Sequence, residues 1–597
     1  MPLAAPAVLV TGMANAQAQP TDRYVVSVAT APLTYLAMFL PGGYAQPTAP
    51  SVFVGFPALL LVLSLPFHTR VPPLERAAWL LMIAFVAASF VIRPTAEAWH
   101  GFTLPHGAPF RATFVLSGLM VMAAWTCWAE RPSRRTLTAG AAAFALLVVA
   151  CLGRQPVNSL ARDLALIGGP ATAALLIARR AHQRHRIIRR GVPVLLAATV
   201  LLTTAGAVYA ILVFQAPARR GDPFTSTMSA LAVNSHKTIQ RNDRWPSART
   251  DPGSGVLITD NDPILLGGQG GAYYSSYVTE RTAGALRPLG LGMAMGGRHL
   301  WAASDPVLQS LLSVGTRLRR TGASTVDTVH SPAFPLVTIR SSSWLDPNGA
   351  PAGTVWASQQ DALGAHVYTV PGLRALPVRG TPPQRTAAGF SVAPYPRGAS
   401  WPTLSAVCPA GSEALLYAPH YNGGIVALGI SHNSPGQAGR IDMPVTPLGT
   451  VPSSGRIDVA FGTHRGDQSV PVHALGCLDR GLLTDAVKTR RAATSVVVSG
   501  HGLKAALPHG SAGTAVIATT AVPGWTCSVD DGPRFSPDAT NGLLSVPLGG
   551  SADALECGYS PPGLRAGLGA AAVGALVVLL VVLRGLRAGS PTGSRRL

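Results

Sequence analysis

Residues 97–128 read EAWHGFTLPHGAPFRATFVLSGLMVMAAWTCW, a polar loop that turns into an apolar run at a single cation, Arg111. The loop half holds Trp99, His100, Pro105, His106 and Pro109. It has no helical period, and its two prolines would stop a helix. Residues 114–128 are apolar for about the length a lipid core demands at roughly 1.5 Å per residue. The stretch predicts an aqueous loop packed against a membrane span, and with it a fold in which membrane helices carry polar segments.

Composition agrees. Of 597 residues, 48% are hydrophobic and 12% charged, with a mean hydropathy of +0.30. That is too apolar and too poor in charge for a soluble protein of this length. Apolar runs gather before Phe214 and after Leu564, and the interval between is rich in Gly, Pro, Ser and Thr. A membrane part therefore carries a large soluble part. The formal net charge of +21 raises nucleic acid as a partner. Much of the arginine lies in short loops beside apolar runs, and no nucleic-acid motif is present, so the charge is read as positive-inside bias and nucleic acid is excluded.

Residues 1–12 are apolar but too short to span, and the Ala-rich stretch to Ala18 resembles a signal peptide without its basic start. Residues 24–40, interrupted by Pro32, read as an interfacial or re-entrant segment. Spans are expected at 52–66, 77–92, 113–128, 137–152, 160–177, 192–214 and 566–583. One set of connections holds fifteen arginines: 70, 76, 131, 134, 135, 179, 180, 184, 186, 189, 190, 584, 587, 595 and 596. The opposite set holds four, 93, 111, 154 and 162. The first set is placed in the cytoplasm, which puts 215–563 outside and the C-terminus inside. The same threading leaves the N-terminus outside without a preceding span, as loss of earlier spans would.

Residues 215–563 show short alternating runs at 255–258, 414–417, 424–429, 495–498, 514–520 and 543–546, separated by Gly, Pro, Asn and Asp turns. A helix is predicted over 305–319, where Val307, Leu308, Leu311, Leu312 and Val314 recur at three and four residues behind an Asp-Pro start. The fold class is thus an α-helical multispan membrane domain plus a large, mostly β extracytoplasmic domain, sandwich-like and in two subdomains. The expected domains are 1–51, an extracytoplasmic or interfacial segment; 52–214, a membrane domain with six transmembrane helices; 215–390, an α+β subdomain; 391–563, a β-rich subdomain; 564–586, the C-terminal transmembrane helix; and 587–597, a cytoplasmic tail. Cys127 and Cys151 fall in spans, whereas Cys408, Cys477, Cys527 and Cys557 are an even number in an oxidising compartment. Of three pairings, 408 with 477 and 527 with 557 is favoured, since each pair brackets what reads as one β unit.

Three stretches carry a family resemblance. Trp99, His100, Gly101 and Phe102 leading through Pro105, Pro109 and Arg111 to Phe114 resemble a pattern of the YfhO-type bacterial membrane proteins. NDPILLGGQGGAYYSSYVTERTAGALRPLG, residues 261–290, followed by Asp305, Leu308, Leu311, Leu312 and Val314, is similar to that family's Gly and Ser-Ser segment before an Asp-led helix. Pro523 to Trp525, Val529 to Gly532, Asn541-Gly542, Pro547, Tyr559, Pro561 to Gly563 and Gly567 look like its terminal β unit entering the last span. Members resemble GT-C glycosyltransferases, which take a sugar from a polyprenyl-phosphate carrier and place it on an acceptor outside the membrane. The resemblance also implies further N-terminal spans and an acidic base in the first exterior loop, and this sequence is expected to start after that region.

Such transfer needs a carboxylate to take the acceptor proton and a cation to hold the leaving phosphate. Arg111 is the phosphate candidate, with His100 and His106 beside it. Glu97 and Asp22 are the carboxylates nearest that surface in sequence. Tyr273, Tyr274 and Tyr277 are candidates for stacking on sugar rings. Gly267-Gly268-Gln269-Gly270-Gly271 lacks the Lys-Ser or Lys-Thr of a phosphate loop and reads as a tight turn. His182 and His185 have no cysteine or acidic partner, so no metal is expected, and no cofactor. The expected function is a membrane glycosyltransferase-like protein acting on a cell-envelope glycan, with membrane lipid, a polyprenyl-phosphate sugar and the glycan acceptor as partners. The alternative is a non-catalytic envelope protein whose β domain binds glycan or partner proteins.

Overall fold

A computed structural model describes residues 2–18, 32–41, 52–100, 110–151, 159–181, 186–220, 229–253, 261–275, 278–294, 299–341, 350–395, 400–463 and 466–588. They form two compact units, Tyr24–Asp222 and the union of Met1–Arg23 with Pro223–Leu597.

The Tyr24–Asp222 unit is helical. In Thr113–Ala129, Leu116, Met120, Ala123 and Cys127 are buried at spacings of four, three and four, one stripe of a helix, while Val121, Met122 and Trp125 stay exposed. A Cβ added to Gly140 would stand 2.0 Å from Ser64 Oγ, so two helix backbones meet there at a distance only a small residue permits. Helices occupy all seven intervals expected to span, but they differ in length. Arg134–Cys151, Ser159–Arg180, Gly191–Tyr209 and Leu564–Gly585 are long and apolar enough to cross a membrane. Pro73–Ser89 and Arg93–Trp99, bent by 90° at their break, would make a fifth if they form one span. Phe56–Phe67 and Thr113–Ala129 are shorter. In the first of these the α-helical part, Phe56–Ser64, starts after Gly55 at φ +84 and gives way to a 3-10 turn, Leu65–Phe67, at Pro66, which removes a helical donor.

The other unit is rich in β structure and contains two sandwiches. In one, a five-stranded sheet that includes Thr403–Val407, Asn422–Ala427 and Arg456–Gly462 faces a four-stranded sheet that includes Glu413–Leu416 and Leu475–Leu478. Alternate residues fill the space between: Leu404, Ile425, Val459 and Phe461 from one side, Ala414, Leu416 and Leu475 from the other. In the second, the sheet of Ser495–Ser499, Gly502–Ser511, Ala552–Tyr559 and Trp525–Val529 covers Asp538–Thr540, Leu543–Pro547, Thr514–Thr520 and Val337–Arg340. A third core surrounds Trp356, Leu308 and Val307. Disulfides join Cys408 to Cys477, across the first sandwich, and Cys527 to Cys557, which lie opposite each other in one ladder. Cys127 and Cys151 are buried and form no disulfide.

Three expectations are corrected. The helix expected over 305–319 ends at Leu311, and Val314–Arg320 is a strand. Ser313, at φ +63, turns the chain, after which burial alternates with period two. The boundary expected at 390 does not separate cores, since Val337–Arg340 pairs with Thr514–Thr520 and Arg374–Ala375 with Thr403–Val407. On either side of that boundary, Gln384–Arg385 and Gly389–Val392 pair with each other and with Gln468–Pro471 in a separate three-stranded sheet. Finally, residues 1–51 are not one segment. Ala5–Ala16 packs along Leu564–Ala588, where a Cβ on Gly567 would lie 2.5 Å from Pro6 Cα, and Gln17 O accepts from Glu280 N at 2.9 Å. Pro32–Leu36 begins a separate piece whose continuation, Ala37 and Met38, is buried in the helical unit.

Candidate functional site

In the helical unit, the bend into Arg93–Trp99 is anchored by Trp99. Its Nε1 donates to Ser89 Oγ at 2.8 Å, and its ring stands 5.5 Å from Phe90. Glu97 on this helix accepts from Arg93 Nε at 2.8 Å, an exposed i,i+4 pair. His100 is the C-terminal cap residue of the same helix. Arg111 lies in the turn before Thr113–Ala129, where Phe110 is buried and its carbonyl accepts from Thr113 N at 3.3 Å. Arg111 itself is exposed and forms no ion pair with a described residue. Asp22, His106 and residues 101–109 lie outside the described residues. Along the helix that Arg111 precedes, Ser117 and Val121 line a groove of about 750 Å³ with Phe53, Pro57, Val200 and Thr204. Ser117 is six residues beyond Arg111 in the sequence and lies within the second turn of that helix.

The β-rich unit holds a different kind of cavity, of about 470 Å³, lined among others by Arg281, Ala285, Pro288, Ser358, Asp361 and Asn541. A hairpin builds it. Asn541 and Gly542, at φ +48 and +76, connect Asp538–Thr540 to Leu543–Pro547, and a two-residue turn needs left-handed backbone at both positions. A Cβ on Gly542 would lie 2.0 Å from that of Ala285, so glycine lets the turn press against helix Glu280–Leu286. Asn541 Oδ1 accepts from Arg340 at 2.9 Å, and its Nδ2 donates to Asp361 Oδ2 at 2.6 Å. Burial pulls the Arg340 guanidinium down to about 10, with Arg490 lowering it and Asp361 opposing the shift. Arg340 stays charged at neutral pH and holds Asn541 against Asp361. The cavity presents a carboxylate, an amide, a hydroxyl and a guanidinium above an apolar floor, a set that matches sugar hydroxyls.

The expected stacking residues do not line this cavity. Tyr273 is half-buried against the core, and Tyr274 is exposed with its backbone N donating to Asn261 Oδ1 at 2.9 Å. Tyr277, His182 and His185 lie outside the described residues. The glycine-rich stretch is a structural edge: Gln269 N donates to Thr250 O and Thr250 N to Gln269 Oε1, each at 2.9 Å. A Cβ at Gly270 would lie 2.2 Å from Asp251 Oδ1, so the glycine admits a buried carboxylate. Sequence reasoning missed Arg281, Asp361 and Arg340, which carry no local signal. Only the Asn-Gly dipeptide announced its turn.

The family described as bacterial membrane protein YfhO matches residues 6–343, more than half of the chain. Two of the three stretches quoted above lie inside the match, and the one from Pro523 onward lies beyond it. No curated protein and no solved structure matches the chain.

Proposed function

Because the chain belongs to the YfhO family of bacterial membrane proteins, we propose that it is a glycosyltransferase-like protein of the bacterial cell membrane. In this reading it takes a sugar from a polyprenyl-phosphate donor and places it on a cell-envelope glycan outside the membrane. The observation that carries the reading is the groove of about 750 Å³ among membrane helices, lined in part by Ser117 and Val121 of the helix that Arg111 precedes. A polyprenyl tail needs a long apolar trough, and its phosphate needs a cation not already neutralised by a carboxylate. A guanidinium meets the second need with two parallel hydrogen bonds, where an ammonium offers a point charge. His100 is the second donor to the phosphate. The hydrogen-bonding cavity around Asp361 and Asn541 supports a role for the β-rich unit in holding the acceptor. The acceptor's proton goes to a carboxylate, for which Glu97 and Asp22 are the candidates.

Arg111→Lys tests the donor role. Transfer from a polyprenyl-phosphate sugar in membranes should fall about tenfold or more, the equivalent of about 1.4 kcal/mol, with insertion unchanged. An arginine that only snorkels to head groups would tolerate lysine within about 1 kcal/mol. Unaltered transfer at equal expression would remove Arg111 from the donor site. One observation favours the non-catalytic alternative: the Glu97 carboxylate is already engaged by Arg93. Glycan binding without any transfer would decide for it.

A further inference from the structure

The terminal sheet has two unlike faces. One turns Leu503, Ala505, Leu555 and the Cys527–Cys557 disulfide into the core. On the other, register sets Val497 opposite Lys504 and Lys504 opposite Glu556, a row that period-two alternation keeps on the outside. Glu556 accepts from Lys504 Nζ at 3.0 Å and from Arg534 at 2.5 Å, so two cations share one carboxylate. Val497 remains 67% exposed. The last strand, Ala552–Tyr559, then runs through Pro561 into Leu564–Ala588. Leu564 and Arg565, in the first turn of that helix, close one end of a groove of about 570 Å³ walled by this outer face. Arg565 has no ion-pair partner among the described residues.

The helix fixes where the groove stands. Leu564–Gly585 is long and apolar enough to cross a membrane, and Arg565 at one end with Arg584 and Arg587 at the other brackets the apolar run. Leu564 and Arg565 therefore sit at a membrane boundary. A groove with surplus positive charge and an exposed valine at that depth matches a phosphate carried on an apolar anchor. We propose that this groove binds the headgroup phosphate of an anionic membrane phospholipid. Arg565, Arg534 and Lys504 donate charge-assisted hydrogen bonds, the acyl chains lie along the helix, and Glu556 opposes binding by competing for the same cations. None of these residues belongs to the groove that Arg111 precedes, so the assignment stands or falls apart from sugar transfer.

The test places the full chain in nanodiscs of phosphatidylcholine with a fixed fraction of phosphatidylglycerol and reads retained lipid by native mass spectrometry. Phosphatidylglycerol should be retained over phosphatidylcholine. Replacing Arg534→Gln and Arg565→Gln together should lower that retention about tenfold, and Glu556→Gln should raise it. The opposite signs matter, because a variant that merely unfolds the sheet cannot gain lipid. Inorganic phosphate should not displace the lipid, since it brings no apolar anchor. Equal retention of the two lipids, displacement by inorganic phosphate, or no gain with Glu556→Gln would overturn the proposal.

Discussion

Asp305 is fully buried at the head of helix Pro306–Leu311, with Oδ1 accepting from Leu308 N at 2.8 Å and from Gln359 Nε2 at 3.2 Å, while Oδ2 has no partner. Burial pushes its carboxyl up to about 7, and the hydrogen bonds pull it only partly back. A carboxyl whose folded pKa lies above its unfolded 3.8 binds its proton more tightly in the fold. The stability it contributes is whole below about pH 4 and is lost as pH rises through about 7. At about 1.4 kcal/mol per unit, that interval corresponds to roughly 4 kcal/mol. Asp305→Asn keeps a good helix cap and removes the ionisation. The variant should unfold at a higher temperature than the natural protein at pH 8 and at nearly the same temperature at pH 4. A gap that does not change with pH would show that Asp305 does not titrate in this interval.

Among the elements, what was legible in the sequence had a period. The alternating runs at 414–417, 424–429, 495–498, 514–520 and 543–546 each fall on a strand; burial alternates in Asn422–Ala427 and Ser495–Ser499, whereas Glu413–Leu416, Thr514–Thr520 and Leu543–Pro547 bury consecutive residues because both of their faces are covered. The 305–319 helix failed because Val307, Leu308, Leu311 and Leu312 fit a helix and Val314 happens to continue their spacing, while the signal that ends it is the backbone of Ser313. The cavity was not legible: Asn541 meets Arg340 across 201 residues of sequence and Asp361 across 180, and no local pattern reports such a meeting. Close approaches are equally silent until a backbone is in hand. In strand Leu475–Leu478, a Cβ on Gly476 would lie 2.7 Å from the ring of fully buried Trp356, whose Nε1 donates to His473 O at 2.8 Å. Gly476→Ala should therefore destabilise the protein by about 1–3 kcal/mol through overpacking, read as a lower unfolding temperature in detergent. An unchanged temperature would mean that the ring has room to shift.

For the whole molecule, charge and redox chemistry bear independently on which side of the membrane the β-rich unit occupies. Fifteen arginines against four in the connections favour a cytoplasmic face opposite that unit. The four cysteines outside the helical unit are all paired, Cys408 with Cys477 and Cys527 with Cys557, whereas Cys127 and Cys151 in membrane helices form no disulfide. Reducing thiol pools keep disulfides rare in the cytosol, so two in one unit favour export. The cross-link between residues 69 apart in sequence also restrains the unfolded chain, by about 4 kcal/mol in the loop-entropy account. Both arguments give the same expected outcome in intact cells. A membrane-impermeant thiol reagent applied before reduction should leave Cys408, Cys477, Cys527 and Cys557 unlabelled. Applied after an impermeant phosphine reductant, it should label all four. Labelling before reduction would mean that the bridges do not form. Labelling that requires permeabilised cells would place the unit in the cytoplasm and reverse the threading.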